Sequence, residues 1–164
     1  MRARRWLSES ALPKTLRAGS VLALVLAVTA RAWAVDTPPS SDLPDLSGVR
    51  AQIYAGEYEP AVRQLLDLSQ TVRHADVYNL LGFGLRKLGR YDESARWYRE
   101  ALIYEPGHRA ALQYQGELFI AQGDVAAAQK NWRYLDILCG QGPCPERDLL
   151  TRALADAGHG TRGG

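Results

Sequence analysis

Beyond residue 42 the apolar residues of this chain recur at helical spacing. Tyr78, Leu81, Leu85 and Leu88 fall at i, i+3, i+7 and i+10, which is one face of a helix. Tyr91, Ala95, Tyr98 and Leu102 mark the face of a second helix, and Gly89 stands between the two. Glycine reaches left-handed dihedrals without strain, so it ends a helix cheaply. Pro106 closes the second helix, because the residue before a proline is pushed out of helical dihedrals. No stretch alternates apolar and polar residues cleanly enough to predict a strand. The expectation is an all-α fold built of helical hairpins.

The hairpin is repeated. Gly56-Glu57-Tyr58 leads to Ala61 and Leu65, Gly89-Arg90-Tyr91 to Ser94 and Tyr98, and Gly123-Asp124-Val125 to Ala128 and Trp132. The three glycines are 33 and 34 residues apart, a period that predicts stacked hairpins near 43–74, 75–108 and 109–140. A further helix over 145–157 starts at Pro145, which suits a first helical turn, and puts Leu149, Leu150, Ala153, Leu154 and Ala157 on one capping face. Residues 158–164 form a glycine-rich tail. One hairpin cannot bury its apolar face alone; three stacked hairpins with a cap can.

This pattern resembles the tetratricopeptide repeat. The fullest match is residues 75–108, where Tyr78-x2-Leu81-Gly82-x2-Leu85 stands for the family's W-x2-L-G-x2-Y. Ser94-x3-Tyr98, Ala101 and Pro106 complete the signature. In 109–140, Leu112-x2-Gln115-Gly116-x2-Phe119 and Ala128-x3-Trp132 match, while Gly140 replaces the proline. Residues 42–74 keep Gly56, Tyr58, Ala61 and Leu65 but lack the glycine of the first helix. The resemblance implies a right-handed α-solenoid. In it Gly82 and Gly116 let paired helices approach, and Tyr98 and Trp132 fill the space between hairpins.

The N-terminus reads differently. Arg2, Arg4, Arg5, Lys14 and Arg17 precede a run of 13 uncharged residues from Ala18 to Ala30, which ends near Ala32-Trp33-Ala34. A basic region, a short apolar stretch and a small-residue site predict a cleavable export signal over 1–34, cut after Ala34. The run falls short of the roughly 20 apolar residues that span a membrane; an uncleaved anchor is the alternative. Arg4-Arg5 keeps twin-arginine export open beside the general secretory route. Val35 to Asp42 is a polar, proline-rich linker. The expected destination is the periplasm of a Gram-negative bacterium.

Removing the signal changes the charge. The chain has 20 basic and 18 acidic residues; six and one of these lie in the first 34, leaving 14 against 17. The mature domain thus has no basic excess with which to hold nucleic acid.

Cys139 and Cys144 are the only cysteines. In an exported chain such a pair oxidises, so a structural disulfide is expected. A thiol-disulfide accessory role is the other reading; against it stands the C-x4-C spacing, since active dithiols usually sit closer, as C-x2-C. His74, His108 and His159 read as exposed loop residues, and neither metal nor cofactor is expected. No nucleophile elbow, phosphate loop or zinc-protease motif is present, which points away from an enzyme.

The resemblance implies one more thing. In tetratricopeptide repeats the first helix of each hairpin lines a concave surface that takes peptides. By position that surface would hold Asn79, Phe83, Arg86 and Lys87 from the second repeat, Gln113, Glu117 and Ile120 from the third, and Arg50 and Tyr54 from the first. The spacing of 79, 83, 86 and 87 puts them on one side of a helix, away from Tyr78, Leu81 and Leu85. Phe83 is expected to be exposed there, with Arg86 and Lys87 free to meet a carboxylate. The expected partner is a protein or peptide of the envelope, met by an adaptor, scaffold or assembly factor; an ordinary solvated helix face is the competing reading.

Overall fold

The computed structural model of the chain describes residues 41–161. The export signal predicted over 1–34, the linker up to residue 40 and the last three residues lie outside the described residues.

Among the described residues seven helices follow one another: α1 (Ser47–Tyr54), α2 (Tyr58–Ser69), α3 (Ala75–Lys87), α4 (Tyr91–Tyr104), α5 (Arg109–Ala121), α6 (Val125–Cys139) and α7 (Pro145–Asp156). α1 pairs with α2, α3 with α4 and α5 with α6; α2 and α3, and α4 and α5, join the successive hairpins, and α7 lies on α5 and α6. This is the all-helical stack of hairpins that the glycine period predicts.

The turn inside each hairpin is the same device used three times. Gly56, Gly89 and Gly123 have φ of 79°, 73° and 81°, the left-handed region that side chains avoid. The residue after each glycine donates its backbone N–H across the helix end, Glu57 to Gln52 O, Arg90 to Leu85 O and Asp124 to Phe119 O, at 2.8–2.9 Å. Left-handed glycine plus this long-range bond satisfies carbonyls that a helix end would otherwise orphan.

The core runs in two clusters. The first joins Leu46, Val49, Ala61, Val62 and Leu65 to Val77, Leu80, Leu81, Leu85, Ala101 and Ala111. The second is smaller, with Leu112, Ala128, Leu135, Leu150 and Leu154. Gly82 and Gly116 sit at contacts too close for a side chain. A Cβ on Gly82 would lie 2.6 Å from the Tyr98 ring of α4, and Ser94 Oγ donates to Gly82 O at 2.7 Å. A Cβ on Gly116 would lie 2.7 Å from Leu150.

Three details depart from the sequence reading. Gly116 makes room for Leu150 of the capping helix, not for its own hairpin partner. Trp132 likewise faces that helix, its Nε1–H donating to Thr151 Oγ1 at 2.7 Å. On α4 the buried face is Ser94, Tyr98 and Ala101, whereas Tyr91 is exposed; on α7 Leu150 and Leu154 are buried and Leu149 is exposed. The periodicity had the right helices but set these faces slightly off their true direction.

Candidate partner-binding groove

The first helices of the hairpins, α1, α3 and α5, bring most of the expected groove residues together. Along α3 the line runs Asp76, Asn79, Phe83, Arg86 and Lys87, each roughly one helical turn from the next until the adjacent last pair.

At the N-terminal end of this line, Asp76 gathers three hairpins. Its Oδ1 lies 3.2 Å from Nε2 of His108 at the head of α5 and 3.8 Å from Arg50 of α1. His74 and His108 cap α3 and α5: the backbone N–H of Asp76 donates to His74 Nδ1, and that of Ala111 to His108 Nδ1, both at 3.1 Å. These histidines are therefore partly buried caps, and not the exposed loop residues expected. The sequence did carry a signal, since 74 and 108 are one repeat apart and each stands directly before a helix.

One turn on, Asn79 is buried, with 3% of its surface exposed, and its Oδ1 has no hydrogen-bond partner among the described residues. Next come the aromatics. Phe83 packs against Tyr58 at 6.5 Å and Tyr114 at 4.9 Å between ring centroids. The Arg86 guanidinium stands 5.5 Å from the Phe83 centroid and 5.9 Å from that of Tyr114, while Lys87 Nζ is 5.4 Å from Phe83. Cations so placed are held by the ring quadrupole. Arg86 also donates to Glu117 Oε2 at 2.7 Å, and Gln113 Nε2 donates to Glu117 Oε1 at 2.7 Å, so the carboxylate is shared by two helices. Burial pushes the Tyr98 phenol above its ordinary value, with the nearby Arg86 charge pulling it back. Burial likewise raises Tyr114.

Four expectations need correction. Asn79 and Gln113 are buried, because α3 and α5 pack on each other as well as facing the groove. Phe83 is half-buried between Tyr58 and Tyr114, so it is not an exposed hot-spot ring. Arg86 is already neutralised by Glu117, which leaves Lys87 as the exposed cation of the expected pair. Ile120 packs against the C-terminal core cluster.

What stays open is a pocket of about 300 Å³. Ile53, Tyr54, Tyr58, Leu80, Phe83 and Tyr114 supply its apolar surface, and Arg50 and Lys87 its charge. Sequence reasoning missed Tyr58 and Tyr114, which sit outside the expected set. A larger hollow of about 770 Å³ lies between α2 and α4, lined by charges of both signs, Arg73 and Arg96 with Glu93 and Glu100.

At the far end, the sulfurs of Cys139 and Cys144 are bonded, and Arg147 donates to Asp136 Oδ1 and to Gly140 O at 3.1 Å across the same loop. Cys144 is fully buried. No group of three metal-ligating side chains is found among the described residues, and no described helix is long and apolar enough to cross a membrane.

Comparison with known proteins agrees with this architecture. Residues 75–108 match the tetratricopeptide repeat model. A Pseudomonas putida protein named as a probable biofilm formation methyltransferase, WspC, is 36% identical over 86 residues, which are 52% of this chain. The match spans only 20% of that protein's length. Among solved structures, the type III secretion translocator chaperone SycD of Yersinia enterocolitica superposes with a TM-score of 0.59 at 19% identity, covering 68% of this chain and 84% of that one. That likeness is one of fold. Residues 75–108 are thus a tetratricopeptide repeat, and helical hairpins of the same kind are stacked on both sides of it.

Proposed function

We propose that the chain is a non-enzymatic interaction module of the bacterial envelope whose groove along α1, α3 and α5 holds an extended segment of a partner protein. The observation that carries this reading is the open pocket of about 300 Å³ where α1, α3 and α5 meet, lined by Tyr54, Tyr58, Phe83 and Tyr114 with Arg50 and Lys87 at its charged edge. Exposed aromatic surface beside cations is a common composition for a protein-binding hot spot, and the pocket takes a side chain of the bound segment. The fold shared with a secretion chaperone supports a role in handling other proteins. We read the stretch shared with the Pseudomonas protein as repeat sequence, outside whatever part of that protein is catalytic.

The test uses residues that do not hold the fold. Tyr54 is 87% exposed, and Lys87 is exposed at the pocket rim. Tyr54→Ser with Lys87→Glu should leave helicity and melting temperature unchanged and lose the partner that co-purifies with the native chain. Retention of that partner by the double variant would exclude the groove. The envelope reading rests on the sequence of residues 1–34: N-terminal sequencing of the exported protein should find Val35, and finding Met1 would overturn it. The accessory-thiol alternative predicts an easily reduced disulfide, whereas a structural bridge has a very low potential.

A further inference from the structure

The two capping histidines carry a chemical constraint beyond their place in the groove. Each accepts a backbone N–H on Nδ1, Asp76 N–H to His74 and Ala111 N–H to His108, at 3.1 Å. An accepting Nδ1 has no proton, so in the neutral ring the proton is on Nε2. In His108 that Nε2–H then donates to Asp76 Oδ1 at 3.2 Å, tying the head of α5 to the head of α3. Only the neutral Nε2–H form makes both contacts. Adding a proton to Nδ1 sets a donor against the Ala111 N–H and places a positive charge at a helix N-terminus, where the macrodipole is also positive.

The surrounding charges fix which contacts survive protonation. Around His108 stand Arg50 from α1, Asp76 and His74 at the head of α3, and Arg109 on α5, whose Nε lies 4.0 Å from Glu146 of α7. Glu105, before the helix, meets His108 through its carbonyl, which accepts the His108 N–H at 3.0 Å. Asp76 attracts the imidazolium through Nε2, so protonation keeps the Asp76 link and gives up the Nδ1 cap. Arg50 shares that same carboxylate oxygen and must then compete for it.

We propose that the His74–Asp76–His108 cluster is a proton-sensitive clasp, which holds the starts of α3 and α5 at neutral pH and releases their caps when the histidines charge. The His108–Asp76 link between the two helices is kept as an ion pair, so what protonation gives up is the capping of each helix start. The caps belong to the neutral rings and are lost when a proton is added to Nδ1.

Hydrogen exchange on the full chain tests the clasp between pH 8 and pH 5, a range in which histidine is the side chain that ordinarily changes charge. Amide protection at Asp76 and Ala111, corrected for the intrinsic pH effect, should fall about fivefold, the worth of one cap. His108→Asn supplies a cap that does not titrate; it should keep Ala111 protected at pH 5 while Asp76 still opens. His74→Asn should do the reverse. Equal loss at Ala111 in the native chain and in His108→Asn would overturn the proposal, as would unchanged protection in the native chain. Should a variant fail to fold, imidazole nitrogen shifts of the native chain at pH 8 decide: a proton on Nδ1 of His108 refutes the clasp, and a proton on Nε2 supports it. Groove failure is separable, since partner loss at both pH values with intact caps would leave the clasp standing.

Discussion

The two ends of the stack are held by different means. At the N-terminal end, hairpins α1/α2 and α3/α4 share a broad apolar cluster, with Leu65, Val77, Leu81 and Leu85 almost wholly buried. At the C-terminal end the cluster shrinks to five buried residues, and specific ties stand beside it: the Cys139–Cys144 bond, the Arg147 contacts to Asp136 and Gly140, and the Trp132–Thr151 hydrogen bond. The last hairpin is covered by one short helix, α7, which packs on both α5 and α6. Where apolar burial is thin, a covalent and polar fastening supplements it. The same logic governs the two family glycines. Gly82 admits the ring of Tyr98 inside one hairpin, and Gly116 admits Leu150 from the cap.

Substitutions can sharpen this contrast. The largest effect is expected from Gly82→Leu. Its first added atom already meets the fully buried Tyr98 ring, and overpacking costs about 1–3 kcal/mol. Tyr98 is hemmed in on all sides, so the cost should fall near the top of that range. The gain of about 1 kcal/mol from replacing glycine within a helix does not offset it. Thermal unfolding by circular dichroism should show one cooperative loss of the whole domain; an unchanged melting temperature would deny the contact.

Opening the disulfide, by reductant or as Cys139→Ser with Cys144→Ser, should cost about 2 kcal/mol, as chain entropy predicts for so short a loop. Exchange protection should fall in α7 and the end of α6 and stay intact in α3. Loss spread evenly over all helices would show that the two ends are not held separately. In the exported native chain, thiol labelling under denaturing, non-reducing conditions should find no free thiol.

Gly116→Leu should have the smallest effect, about 1–2 kcal/mol within the overpacking range. It presses on a flexible leucine of a terminal helix, which can lift away. Exchange should rise in α7 alone, and a collapse as complete as that of Gly82→Leu would erase the distinction between the two sites.

The order of helices was legible in the sequence because a glycine period and helical apolar spacing are local signals. Gly56, Gly89 and Gly123 alone set the three hairpin turns. Burial on the groove side was less legible. Spacing places Asn79, Phe83, Arg86 and Lys87 on one side of α3, but it cannot say that α5 lies against that side and buries Asn79. Nor can it say that Glu117, 31 residues away, neutralises Arg86. The histidines were misread for a related reason: a cap is recognised by its geometry, and histidine is not among the usual capping residues. Tyr58, legible only as a repeat position, and Tyr114 were not legible as groove residues, because they join the pocket only once the helices are set side by side.

The central claim, that partners bind along α1, α3 and α5, is tested most directly by site-specific photocrosslinking in cells. A photoreactive residue at Tyr54, at the open pocket, is compared with one at Ile137 on α6, which is 77% exposed and lies outside that pocket. The account predicts a discrete crosslinked partner from position 54, lost on Lys87→Glu, and none from position 137. A partner captured at 137 and not at 54 would contradict it and move binding to the other helices of the stack.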